Sequence, residues 1–167
     1  ADCTSPSPPS AQERNQDVSK IITFNIDGLE RNKFYLNQLL QKNDVLFICL
    51  QEHWLPHHDA AEKLNSNFPN YCIPNTSRDM FLDPEEMMIR SGPTWHGAAI
   101  GWLKSEDCKI SPITPVSERF CGVKYTVKET NVTILAYSVY LPTTGNDAEF
   151  ADVKAALLED IKSNRES

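Results

Sequence analysis

The amino-acid sequence predicts an α/β protein built on a mixed β-sheet with helices on one face. Three observations lead there. Between Lys20 and Leu50 an alternating stretch, a helix-periodic stretch and a continuous apolar run succeed one another, the pattern of a βαβ unit. After Thr94 come several strand-like runs with no helical period between them, and an amphipathic stretch then closes the order. The length of 167 residues suits one domain, because a chain of about 150 residues already hides roughly 70% of its unfolded surface.

Each element has its own signal. Residues 1–17 are rich in proline and serine and carry no large apolar side chain, so they cannot offset their ordering entropy and read as a disordered tail before a folded unit at 18–167. In "SKIITFNIDGL" Ile22, Phe24 and Ile26 alternate with Ile21, Thr23, Asn25 and Asp27, which predicts a strand ending near Gly28. Over Glu30–Lys42 the apolar residues Phe34, Tyr35, Leu36, Leu39 and Leu40 predict an amphipathic helix. "DVLFICL" is apolar throughout, as in a strand covered on both faces, and the helix between makes the two strands parallel. A short helix is expected within His58–Asn67, a strand about Tyr71–Pro74, and a long loop over Asn75–Thr94. Strands are then expected at His96–Leu103, weakly at Cys108–Ile113, at Arg119–Val127 and at Val132–Leu141, with a turn at "KETN". A helix over Asp147–Lys162 opens on Asn146 with Glu149 three residues later, a capping-box spacing, and offers Phe150, Val153, Leu157 and Ile161 as its buried stripe.

Composition removes several classes. A net charge of −7 with no cluster of Lys and Arg gives no basic footprint for nucleic acid, so binding to a polyanion would be local and assisted by cations. The five cysteines, Cys3, Cys49, Cys72, Cys108 and Cys121, are odd in number and never spaced as Cys-x-x-Cys, which argues for buried thiols over a zinc site or a disulfide framework. No apolar run reaches about 18 residues and no signal peptide is visible, so no membrane partner is expected and the reading is an intracellular protein, nuclear or cytoplasmic.

Chemistry concentrates at two strand ends. "VLFICLQEHWL" turns abruptly from apolar residues to Gln51, Glu52 and His53, and Asn25 stands at the end of the neighbouring strand, where open α/β sheets place ligands. A carboxylate beside an amide suits Mg²⁺, which takes one or two carboxylates and completes its shell with water and phosphate. The same residues also suit a solvated strand terminus and a turn former. Tyr140, on the same face of its strand as Ser138 and followed by Pro142, is either a phenol aimed at such a site or half-buried packing.

Taken in order, "FNIDGL", "LQEHWL", "WHGAAIGW", "SERFCGVKY" and "SVYLPTTG" resemble the endonuclease/exonuclease/phosphatase superfamily, and within it the apurinic-type endonuclease domain of non-LTR retrotransposon reverse transcriptases. The resemblance runs from about Lys20 to Ile161 and implies a fold of which the chain holds about half, a four-layer α/β sandwich with two stacked sheets. It implies Mg²⁺, or Mn²⁺ in its place, held at Glu52 and Asn25, with Asn25, Glu52 and Tyr140 as catalytic positions. His96 and Arg119 would bind substrate, with DNA the partner of the intact family. Two departures are visible: Ser138 replaces the Asn of the family's Asn-x-Tyr, and Gly97-Ala98 replaces a Gly-Gly pair. The family's Gly-Asp-Phe-Asn and Ser-Asp-His motifs do not occur after Tyr140, so the implied protein is a nuclease-type phosphodiesterase lacking its general base. The alternatives are an inactive remnant acting as an interaction or metal-binding module, and a phosphatase-type relative. Half of such a stack would leave one apolar sheet face bare, from which self-association or a covering partner protein is expected.

Overall fold

In the computed structural model of the chain, the residues described are 20–43, 45–89, 96–105, 110–127, 129–143 and 145–166. The expected tail at 1–17 lies outside them. Strand β1 (Lys20–Asn25), helix α1 (Leu29–Lys42) and strand β2 (Val45–Gln51) form the βαβ unit, with β1 and β2 parallel. Alternation decides the covered side of β1: Ile26 just beyond it is fully buried and Phe24 packs against the same core, while Ile21 is 65% exposed. The apolar cluster of α1 does not all turn inward. Leu29, Leu36 and Leu40 share a face and pack into the core, whereas Phe34 and Tyr35 are exposed, because neighbours along a helix stand about 100° apart and cannot all face one sheet. Tyr35 leans back on Phe24 instead, with ring centroids 5.6 Å apart.

Helix α2 (His57–Asn67) brings Ala60 and Leu64 to the same face as α1. The strand expected at Tyr71–Pro74 is broken into β3 (Tyr71–Cys72) and β4 (Asn75–Thr76), and both pair antiparallel with β5 (Ala98–Leu103). The break falls at Pro74, which has no N–H to give a ladder but accepts from Ile100 N at 3.1 Å. The expected loop over Asn75–Thr94 is therefore not structureless. It holds β4, a 3₁₀ turn at Arg78–Met80 and a short helix α3 (Pro84–Ile89), while residues 90–94 lie outside the described set. The missed signal is Asp83 before Pro84 with Glu86 beyond: the Asp83 carboxylate accepts from Glu86 N at 2.8 Å, and Pro84 occupies the first helical position.

The large sheet runs β1-β2-β5-β3, with β4 also on β5. A second, antiparallel sheet comprises β6 (Ile110–Pro112), β7 (Phe120–Val127) and β8 (Val132–Val139), with β7 central and β6 and β8 at its edges. This small sheet corrects the expectation of a bare face. Phe47, Cys49, Ala98 and Ile100 on the side of the large sheet away from the helices are buried against Cys121 and Val123, with Tyr125 and Ala136 packed around them. Apolar exposure remains at Ile21 on β1 and at Val132 and Ile134 on β8. The burial explains the thiols: Cys49 is pushed up to about 11 and Cys121 to about 12 by loss of water, and both are free. Cys3 and Cys108 lie outside the described residues.

Helix α4 (Asp147–Glu166) covers the outer face of the small sheet and runs a turn beyond the expected Lys162. Asn146 caps it by accepting from Glu149 N at 3.4 Å. Of its expected stripe only Val153 is buried, and Phe150 is 39% exposed. The helix is fixed partly by polar contact, since the Tyr137 hydroxyl donates to the Asp160 carboxylate at 2.7 Å. Tyr137 reaches that position across Gly122, where a Cβ would meet its ring at 2.4 Å. No helix among the described residues is long and apolar enough to cross a membrane.

Gly122→Ala is expected to lower the unfolding free energy by about 1–3 kcal/mol, the usual cost of overpacking. Phe34→Ala, at a site 72% exposed, is expected to change it by less than about 0.5 kcal/mol. Urea titrations of the two variants beside the parent chain check both.

Candidate active site

Because β1 and β2 are parallel, their carboxyl ends meet at one edge of the large sheet, and Asn25 pairs with Gln51 in register. The ladder does not stop there. Ile26 N donates to Gln51 O at 2.9 Å, Gly28 N to Glu52 O at 2.8 Å and Leu29 N to His53 O at 3.0 Å. On the other side Glu52 N donates to Gly97 O at 2.8 Å and Trp54 N to His96 O at 3.0 Å. Residues 52–54 are thus strapped between the entry to α1 and the entry to β5. The backbone there is left-handed at Asp27 (φ 46°), Gly28 (86°), Glu52 (56°), Trp54 (58°), His96 (77°) and Gly97 (89°). Apart from Asn131 and Gly145, every positive-φ residue among those described sits at this edge, and conformations of this kind cost free energy unless their surroundings enforce them.

The three polar residues that end β2 have different fates. Gln51 is buried between the sheets, where its amide donates to Ser138 Oγ at 2.9 Å, while that hydroxyl donates to Leu50 O at 2.9 Å. Ser138 therefore serves the sheet-to-sheet contact. His53 is fully buried, with Nε2 donating to Thr76 O at 2.9 Å and Nδ1 accepting from Leu55 N at 3.0 Å. Burial holds its imidazole down at about 4, so it is neutral. Its ring also fills the space beside Gly97, where a Cβ would lie 2.4 Å away. Only Glu52 turns its side chain toward water.

Around Glu52 the expected residues converge. Asn25 Nδ2 donates to Glu52 Oε1 at 3.1 Å, and Asn25 Oδ1 is occupied by Asp27 N at 3.1 Å, which fixes the amide. Tyr140, placed just past β8 by a bond from its N to Arg119 O at 2.7 Å, turns its phenol to the same carboxylate. Burial works to raise the Glu52 carboxyl, yet the neighbouring polar groups of Tyr140, Asn25 and Trp54 outweigh it and hold the group below its usual value. The Glu52 bond and then burial push the Tyr140 phenol up.

His96 and Arg119 form the wall behind Tyr140. The His96 ring lies 5.9 Å from the Tyr140 ring, and the Arg119 guanidinium sits over it at 5.1 Å. Burial, followed by the charges of Arg119 and Arg78, lowers the His96 imidazole. Arg119 is itself buried and bonded to Glu149 in the first turn of α4, with Glu118 at 4.0 Å, so its charge is largely matched by carboxylates. Two buried nitrogens here, His96 Nδ1 and Arg119 Nη1, have no partner among the described residues.

Sequence reasoning did not single out Asp27, His53 or Trp54. Asp27 was visible as the acid of "FNIDG", next to Asn25. For His53 the signal was only its place after Glu52, and its role emerges from contacts with Thr76 and Gly97, distant in sequence.

Among the described residues no group of three or more His, Cys, Asp or Glu side chains is gathered to hold a metal ion. One ionised carboxylate with an adjacent amide suits a hard cation that shares its shell with water and phosphate, and does not suit a closed protein cage.

No family model matches the chain, and no curated protein matches it in sequence. Solved structures do match in fold. AP endonuclease LMAP from Leishmania major superposes with a TM-score of 0.57 at 15% identity, over 76% of this chain and 41% of that one. The 3′ phosphatase NExo from Neisseria, bound to a product DNA hairpin, gives 0.55 at 17% identity over 89% and 53%. The endonuclease domain of TRAS1, a telomere-specific non-LTR retrotransposon, gives 0.50 at 9% identity over 86% and 54%. The chain thus spans about half the length of these proteins, and its fold is of the endonuclease/exonuclease/phosphatase type.

The buried neutral His53 makes stability depend on pH. Its imidazole is held at about 4 against an ordinary 6.5, so between those values the unfolded chain carries the extra proton and stability rises with pH. From this group alone the folded state is expected to lose roughly 3 kcal/mol as pH falls through that window. Unfolding free energies of the parent chain and His53→Gln, measured across it, should differ by that slope.

Proposed function

We propose that the chain is the N-terminal half-site of a Mg²⁺-dependent phosphodiesterase of the DNA endonuclease kind, in which Glu52 and Asn25 hold the cation. The observation that carries this reading is the convergence of Asn25, Glu52 and Tyr140 on one ionised carboxylate at the carboxyl edge of parallel strands. What supports DNA as substrate is the fold shared with nucleases, one of them a phosphatase bound to a DNA hairpin. Retrotransposon ancestry rests on the sequence motifs and the TRAS1 likeness in fold. A DNA substrate places the work in the nucleus or cytoplasm.

Bound there, Mg²⁺ or Mn²⁺ supplies Lewis acidity toward a phosphoryl oxygen. The chain's own residues do the rest of what is visible. Glu52 is held below its usual carboxyl value by the side chains of Tyr140, Asn25 and Trp54 around it, so it offers full charge to a cation at neutral pH. Asn25 is fixed through Asp27 and sets the orientation of the carboxylate. Tyr140 presents a protonated phenol, which would be able to donate to a phosphoryl oxygen held beside Glu52. His96, neutral behind it, and Arg119, stacked on it, limit the directions the phenol can take.

The 167 residues contain neither a Gly-Asp-Phe-Asn nor a Ser-Asp-His motif, so turnover by this chain alone is not expected. An inactive binding module is the second reading, and the carboxylates facing Arg119 favour it, since they oppose a phosphate there. Cleavage of a monoester in place of a diester would instead indicate the phosphatase kind. The exposed Ile21, Val132 and Ile134 are where a second copy or a covering polypeptide would pack.

Calorimetric titration with Mg²⁺ is expected to show binding to the parent chain, at least tenfold weaker binding to Glu52→Gln, and a smaller weakening for Tyr140→Phe. Equal heats for the parent and Glu52→Gln would remove the metal site. Supercoiled-plasmid nicking by the chain alone is expected to be absent, and nicking abolished in Glu52→Gln would show that the half-site is complete.

A further inference from the structure

Two neighbouring side chains at the rim of this site, Trp54 and Arg31, have no contact with substrate in the chemistry above. Trp54 stands two residues beyond Glu52, left-handed and tied by its N to His96 O. Its indole packs on Gly28, where a Cβ would meet the ring at 2.7 Å, so no other residue could bring the helix entry so close. The Arg31 guanidinium lies over the ring, 5.3 Å from its centroid, and is held from below by Asp27 at 3.4 Å. Yet the Arg31 side chain is 66% exposed. A flat cation thus lies over the indole and open to solvent, beside the strapped segment that carries Glu52.

We propose that Trp54 and Arg31 form a stacking platform for an unpaired nucleobase of the DNA strand whose phosphate lies at Glu52. This rests on the reading of Glu52 as a phosphodiester site, and adds what the strand must look like. Aromatic and guanidinium planes stack bases with little regard to sequence, and the cation over the indole stiffens the pair. Because the Trp54 ring packs on Gly28, whose N bonds Glu52 O, the stacked base belongs to a nucleotide adjoining the phosphate. A base inside a duplex is not available for such contact and must first leave the stack. The platform therefore selects a strand that is single, frayed or flipped at the site, and distinguishes a polynucleotide from a small phosphate ester.

The experiment compares binding, in Mg²⁺, of a short labelled oligothymidylate and an abasic oligomer of the same length and charge, read by fluorescence anisotropy. The parent chain is expected to prefer the thymidylate about tenfold, in line with one stacked base. That ratio should fall to near one in Trp54→Leu and in Arg31→Lys, which keeps the charge but loses the plane, and should survive in Trp54→Phe. Circular dichroism shows whether each variant is folded, and the exposed Arg31 position keeps the test valid if Trp54→Leu is not. Equal affinity of the parent chain for both oligomers, a preference surviving in Arg31→Lys and Trp54→Leu, or no binding of either oligomer overturns the platform. Failure of the underlying site reading appears separately, as Mg²⁺ heats unaltered by Glu52→Gln.

Discussion

Everything at the carboxyl edge of the large sheet hangs on a backbone constraint: residues 52–54 are hydrogen-bonded on both sides after β2 itself has ended. Gly28 and Leu29 donate from one flank, and the carbonyls of His96 and Gly97 accept from the other. A strand released at Gln51 would turn into solvent and carry Glu52 with it. Held from both sides, the chain takes left-handed conformations that no isolated peptide would keep, and the carboxylate is delivered beside Asn25. The enforcing parts are ordinary: a buried neutral imidazole, a glycine with room for it, and a parallel pair that ends in register.

That arrangement explains why the fold was legible in the sequence and the site only in part. Periodicity declared β1, α1, β2 and the later strands, since those elements bury one face or two and the pattern follows burial. It misjudged Phe34 and Tyr35, whose apolar character says nothing about which way a helix is rolled. It missed α3, whose short length leaves no period to read, though its cap at Asp83 was written plainly. That Glu52, Asn25 and Tyr140 lie at strand ends could be read because each falls at the end of a predicted strand. Trp54 and His53 could not be read, because their roles depend on Gly28, Thr76 and Gly97, and a linear pattern does not show which residues the sheet brings opposite.

The contrast between Glu52 and Arg119 is also physical. Both are charged and both belong to the same cluster, but Glu52 meets neutral donors and keeps its charge available, whereas Arg119 is buried against Glu149 and Glu118. A paired buried guanidinium is costly to separate from its partners. Arg119 accordingly joins the first turn of α4 to the loop before β7 and supports Tyr140 from behind.

Ser138 carries a further meaning in the time domain. Its bonds to Gln51 and Leu50 close loops of 87 and 88 residues, and contacts so distant along the chain form only after most of the loop entropy has been surrendered. The edge that carries Glu52 is therefore held by contacts of high sequence separation, the kind that slows folding. The place of Tyr140 beside Glu52 thus depends on the docking of β8 against β2.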